Sequence, residues 1–127
     1  MKLYESTYYT FSLDEDTIIN RWKDTTAKMS YQDFKDALMN LAGYIIEHKS
    51  ETLLIDATNF QFNLPPENIA WRNEELYSRI TKVGTKKQAL ILPEEYLKYA
   101  EDEVAETDVV QTRYFASEIE ATDWLAT

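Results

Sequence analysis

Thr52-Leu53-Leu54-Ile55-Asp56 is the stretch on which the fold turns. Three aliphatic residues in succession leave no position to face water, so the run suits a strand covered on both faces, as strands of parallel sheets are. Gln88-Ala89-Leu90-Ile91-Leu92 repeats the pattern. Between the two runs, Pro65 and Pro66 can open a helix, because first-turn N–H groups have no intrahelical partner to lose. Ile69, Leu76, Ile80 and Val83 are expected on its apolar face, and Gly84 is placed to end it.

Upstream, Tyr9, Phe11 and Leu13 alternate with Thr10 and Ser12, the period of a half-buried strand. Asp14-Glu15-Asp16 then supplies a turn without the Asn-Gly pair of a tight hairpin, and Thr17 to Trp22 reads as the returning strand. Ser30 is an N-cap candidate with Asp33 three residues on, and Met29 and Phe34 sit where a hydrophobic staple would place them. Phe34, Leu38, Leu41 and Ile45 draw one apolar stripe along a helix expected to end near His48.

Downstream of Pro93 an acidic helix is expected to carry Tyr96, Leu97, Ala100 and Val104 inward. Val109 to Phe115 reads as a strand, and Ser117 with Glu120 forms a second capping box that starts a helix burying Ala121, Trp124 and Leu125. The order ββαβαβαβα predicts an α/β class: an N-terminal antiparallel hairpin, then a largely parallel sheet joined by right-handed crossovers. No linker or repeat interrupts it, so residues 1–127 are expected to form one domain.

Composition narrows the partners. With 127 residues the chain can bury roughly two thirds of its unfolded surface, and no covalent staple is needed. Thirteen basic against 23 acidic side chains give a formal charge of −10, a field that repels phosphate backbones and anionic lipid surfaces. Nucleic acid is therefore not expected as a partner; Lys82, Lys86 and Lys87, the densest basic cluster, bracket a turn. The chain has no cysteine, which removes disulfides, thiolate metal sites and thiol nucleophiles. No signal-like apolar region follows Met1 and no run is long enough for a membrane span, so a cytoplasmic location without membrane insertion is expected.

The candidate chemistry gathers at strand ends. Asp56-Ala57-Thr58-Asn59-Phe60 leaves the first aliphatic run at its carboxyl end, where open α/β sheets place their ligands. Asp56 and Asn59 also turn backbones through bonds to their own main chain, a purely structural use. Trp71 and Arg72 near the start of the second helix, and Arg113 with Tyr114 in the last strand, would form a polar and aromatic pocket if they approached Asp56. The competing reading is a buried Asp56 paired with either arginine as scaffolding.

Other features read as structural. The lone His48 suits the negative end of a helix dipole and has no second histidine for a metal site. Glu101-Asp102-Glu103, with Glu106 and Asp108, lacks the glycine turn of a calcium loop and reads as a solvated helix face. No serine or threonine has an evident base, and glycine only at 43 and 84 excludes phosphate-cradling loops, so no cofactor is expected.

The element order, with Leu53-Leu54-Ile55-Asp56-Ala57-Thr58-Asn59-Phe60, Lys87-Gln88-Ala89-Leu90-Ile91-Leu92, Arg113-Tyr114-Phe115 and Glu120-Ala121-Thr122-Asp123-Trp124-Leu125, resembles the STAS family. These are the sulfate-transporter and anti-sigma-factor-antagonist domains, with SpoIIAA-like small relatives grouped with CRAL-TRIO proteins. The resemblance implies a βα superhelix with helices mainly on one sheet face, and a regulatory or binding role rather than catalysis. Anti-sigma antagonists are switched by a phosphorylated serine in an Asp-Ser-Ser-Gly type segment before the second helix. Here that segment is Asn63-Leu64-Pro65-Pro66, which does not support such control. The CRAL-TRIO association implies an apolar ligand.

The leading expectation is a non-catalytic binding or regulatory domain, taking a protein partner or a small apolar molecule at Asp56, Thr58, Asn59, Trp71, Arg72 and Arg113. The alternatives are an assembly role as a homodimer, using Tyr4, Tyr8, Tyr9, Phe11 and Trp22 of a bare sheet face, and a small enzyme with Asp56 in acid–base work.

Overall fold

The computed structural model describes residues 1–97 and 110–127. Its frame is a six-stranded sheet whose strands lie side by side in chain order. β1 (Lys2–Glu5), β2 (Tyr9–Asp14) and β3 (Thr17–Trp22) pair antiparallel, and β4 (Thr52–Asp56), β5 (Lys87–Ile91) and β6 (Gln111–Phe115) continue from β3 in parallel. The two aliphatic runs are neighbours, with Leu53 opposite Gln88, Leu54 opposite Ala89 and Ile55 opposite Leu90. The architecture is thus α/β, antiparallel strands leading into parallel ones.

β1 extends the expected hairpin to three strands. Its residues are largely exposed, and it is tied down where the Met1 ammonium donates to the Leu13 carbonyl at 2.8 Å. The β2–β3 loop is two residues, with Asp14 opposite Thr17 and Glu15 in the left-handed region at φ 53°.

The pleat sorts side chains onto two faces. One receives Tyr9, Phe11, Ile18, Trp22, Leu53 and Ile55, and α1 (Tyr31–His48) lies over it. A sequential sheet with crossovers of one hand puts successive helices on the same side. The second helical segment, α2 (residues 68–83), accordingly packs into the same core through Leu76, Tyr77 and Ile80. The opposite face is covered by α3 (Glu118–Leu125), whose Ala121 and Leu125 pack on Leu54, Ala89 and Ile91. Each fully buried Leu, Ile or Phe contributes roughly 1.5–3 kcal/mol, so the α1 side carries most of the stability.

Local signals explain the helix bounds. The Ser30 hydroxyl accepts from the Asp33 N–H at 3.0 Å, and the Asp33 carboxylate accepts from the Ser30 N–H at 3.0 Å, closing a capping box. Met29 and Phe34 are both buried in the main core. α1 ends at His48, which is exposed, and Lys49 closes it at φ 50° with its N–H turned to the Ile45 and Ile46 carbonyls. At α3, the Ser117 hydroxyl accepts from the Glu120 N–H at 3.3 Å.

α2 is not one regular helix. It is α-helical over Asn68–Trp71, widens to π-helical hydrogen bonding over Arg72–Tyr77, is α-helical again over Ser78–Ile80, and tightens to a 3-10 turn over Thr81–Val83. Gly84 ends it at φ 99°. Leu76 and Ile80 face inward as expected, but Ile69 is 51% exposed. The wider i→i+5 turns retard the rotation of the chain, so a residue one or two turns earlier no longer shares their face.

Two further expectations change. Tyr9, Phe11 and Trp22 lie buried beneath α1 and cannot line a dimer face; only Tyr4 is exposed and Tyr8 is half-buried. The face of β1–β3 without a helix presents Thr10, Ser12, Thr17 and Arg21 instead, the polar side of an alternating pattern. Residues 94–97 are helical, whereas Ala100, Val104, Val109 and the acidic cluster from Glu101 to Asp108 lie outside the described residues. Among the described residues no helix is long and apolar enough to cross a membrane.

Candidate functional site

The strand pleat separates residues that the sequence had placed in one pocket. In β4, Leu53 and Ile55 face α1, so Leu54 and Asp56 face α3. Asp56 therefore meets a partner that the sequence reading did not name. The Arg21 guanidinium donates to Asp56 Oδ2 at 3.0 Å and forks onto Glu118 at 2.5 and 3.1 Å. Arg21 lies directly across from Asp56 in the β3–β4 register, a pairing that parity along Thr17 to Trp22 could have found. The hydrogen bond that Arg21 donates to Glu118, opposed by burial and assisted by the charges of Glu118 and Asp56, raises the Arg21 pKa above its ordinary value. Arg21 and Glu118 are 40% and 48% exposed, so this pair is worth at most about 1 kcal/mol.

The other candidates scatter around this ion pair. Thr58 stays with Asp56, donating its N–H at 3.1 Å and its hydroxyl at 2.6 Å to Oδ1, a local turn-forming pattern. Asn59 is exposed in the loop beyond it. Arg113 faces α3, with its guanidinium carbon 5.2 Å from the centre of the Trp124 ring. Trp71 is partly buried against the main core on the α1 side, and Arg72 lies on that side as well. Neither arginine expected to pair with Asp56 does so; pleat parity places Arg72 across the sheet, and Arg21 already occupies the carboxylate.

On the α1 side, at the carboxyl ends of the parallel strands, there is a cavity of about 240 Å3. Its floor is Trp22, Ile55, Leu90 and Tyr114; α1 supplies Phe34 and Leu38; α2 supplies Arg72, Leu76 and Tyr77; Ala57, Phe60, Leu64 and Leu92 form the rim. The wall is largely apolar, with five aromatic rings among its residues, and is tightly braced. Trp22 and Phe60 meet edge to face at 5.1 Å, and Trp22 stacks on Phe34 at 5.8 Å. The 57–64 loop is anchored beside them, because the buried Thr26 hydroxyl accepts from the Gln61 N–H at 2.9 Å and donates to the Lys23 carbonyl at 2.7 Å.

Polar groups around the cavity divide into satisfied and unsatisfied. Gln88, buried beneath α2, donates to the Tyr77 hydroxyl at 3.1 Å and to the Thr112 hydroxyl at 3.3 Å, and Thr112 donates to the Val110 carbonyl at 3.0 Å. By contrast, Arg72 Nε, Asn73 Oδ1 and both amide atoms of Asn20 are buried without a hydrogen-bond partner. Asn20 is fully buried on β3, and its neighbours Trp22 and Ile55, along and across the sheet, line the cavity. Tyr31 Oη and Asn68 Oδ1 are likewise buried without a partner, and of these residues Arg72 alone lines the cavity.

A second cavity of about 320 Å3 shares Ala57, Phe60 and Leu92 with the first and adds Thr58, Gln61 and Tyr96. A third, of about 280 Å3 at the amino ends of β3 and β4, is bordered by Asp14, Glu15, Asp16 and Glu51. Among the described residues no group of three acidic or histidine side chains converges to hold a metal ion.

The sequence names Arg72 and places Phe60 in the strand-exit segment and Leu64 before the second helix without a site role for either; Phe34 reads as core, and nothing singles out Tyr77. Compared with models of protein families, with curated proteins and with solved structures, the chain gave no significant match in any of the three.

Proposed function

We propose that this chain is a non-catalytic binding domain of the STAS type, and that its ligand is a small apolar molecule held between α1, α2 and the carboxyl ends of β4 to β6. The observation that carries this reading is the apolar-walled cavity of about 240 Å3 at those strand ends. Small-molecule sites are concave, mostly apolar and furnished with a few polar groups, and in open α/β sheets they lie at the carboxyl ends of the strands.

Further support comes from the departure at Asn63-Leu64-Pro65-Pro66. Where the resemblance would place a phosphorylatable serine, this chain contributes Leu64 to the cavity rim. The π-helical stretch points the same way, since such bulges recur at functional sites and this one carries Arg72, Leu76 and Tyr77 into the wall. The role of Asp56 in this reading is structural: its carboxylate ties Arg21 and the Thr58 turn.

A thermal-shift screen of small apolar and amphiphilic compounds tests the proposal. A binder present at a hundred times its Kd stabilises the folded state by about 2.7 kcal/mol. Ala57→Leu, which fills part of the rim, should abolish the shift while the free protein melts near the wild-type temperature. No stabilising compound across the screen, or shifts that persist in Ala57→Leu, would count against the cavity as the site.

A further inference from the structure

We infer that the ligand is a small monocarboxylate, whose apolar body fills the apolar cavity and whose carboxylate is received by Arg72. This rests on the cavity being a binding site and adds the ligand's charge and headgroup.

The chain carries an excess of acidic side chains, yet among the described residues Arg72 forms no ion pair. Arg21 and Arg79, by contrast, are each paired with a carboxylate. Arg72 lines the cavity, and its Nε is buried without a hydrogen-bond partner. A buried donor on a charged group is expensive to leave unmade, and a guanidinium cannot shed its proton to escape the cost. A monoanion held in the cavity would give the guanidinium the counter-ion that the described residues do not supply.

Geometry and charge select the headgroup. The two terminal Nη groups form a planar fork that matches the two oxygens of a carboxylate. One guanidinium in a chain of net charge −10 balances a single negative charge, whereas a dianionic phosphate would be left under-compensated. Size limits the body: a cavity of about 240 Å3 suits a small molecule rather than a long-chain lipid. Rings on the wall from Trp22, Phe34, Phe60 and Tyr77 favour a flat or short-chain body.

Isosteric pairs test this: phenylacetate against phenylacetamide, and hexanoate against hexanamide, each titrated by calorimetry into wild type, Arg72→Met and Arg72→Lys. The acid of each pair should bind wild type roughly 10–100-fold more tightly than its amide, the worth of a charge-assisted hydrogen bond. Arg72→Met keeps the stem and drops the fork, and should erase that ratio. Arg72→Lys keeps the charge without the fork and should leave a reduced ratio. Equal affinity for acid and amide in wild type, or a ratio that survives Arg72→Met, would overturn the inference and leave the cavity reading standing. Failure of all four compounds to bind would overturn both.

Discussion

Replacing Asn20 by leucine should stabilise the protein. Asn20 is 0% exposed, and neither its amide nitrogen nor its amide oxygen has a hydrogen-bond partner. Burying such a group unpaired costs about 1–3 kcal/mol by protein mutational data. Leucine removes that cost and adds roughly 2 kcal/mol of apolar burial between Ile18 and Trp22, offset by about 1–3 kcal/mol for fitting a branched side chain into a packed layer. The expected net gain is about 2 kcal/mol, which for a domain of this size raises Tm by ~8 °C. Urea denaturation monitored by tryptophan fluorescence, with thermal melting alongside, reads both quantities. Asn20→Asp is the opposing control, because an unpaired carboxylate there should be strongly destabilising near neutral pH. A loss of about 1 kcal/mol or more in Asn20→Leu would refute the reasoning, since the amide would then be making hydrogen bonds in the folded protein.

Ser30→Ala removes one half of the capping box and should cost about 1 kcal/mol in urea denaturation. Leu76→Ala, at a site 1% exposed, should cost roughly 2–5 kcal/mol and enlarge the ligand cavity, which a shift in preference toward bulkier compounds would report. Asp56→Asn should cost less than about 1 kcal/mol and leave ligand affinity unchanged, because its ion pair is on the opposite face from the cavity. Hydrogen bonds from Lys2 and then Lys23 hold the Glu5 carboxyl at about 2, against an ordinary 4.5. A depressed carboxylate stabilises the fold above its unfolded pKa and loses that contribution as pH falls. NMR titration should therefore place Glu5 near 2 in wild type and nearer 4.5 in a Lys2→Met, Lys23→Met double variant, with the pairing of β1 weakening between those two values.

The frame was legible where local chemistry and tertiary need agree. Leu53-Leu54-Ile55 and Ala89-Leu90-Ile91 read as interior parallel strands because such strands are covered on both faces, and they are adjacent. Ser30 and Gly84 marked helix ends through single-residue chemistry that depends little on the rest of the chain. β1 escaped notice because a short, exposed edge strand needs no apolar alternation; backbone pairing with β2 holds it. The π-helical widening was invisible because apolar spacing at three and four residues assumes the ordinary turn, and this is why Ile69 was placed on the wrong face.

The candidate site was half legible for a related reason. Three consecutive aliphatic residues announce a strand covered on both sides, but they conceal which of its neighbours faces which helix. Asp56 and Arg72 were both singled out, and one residue of pleat parity puts the sheet between them. The cavity wall was hidden in a different way, since Phe34 and Tyr77 carry no mark in sequence that separates a ligand-facing ring from a core ring.

The most direct test of the central claim is a proton–nitrogen correlation spectrum of the labelled protein titrated with phenylacetate. Saturable shifts should gather at Ala57, Leu76, Leu90 and Tyr114, with Glu118 and Ala121 on the other face unmoved. Shifts centred on Arg21, Asp56 and Glu118, or a spectrum unchanged up to millimolar compound, would contradict it.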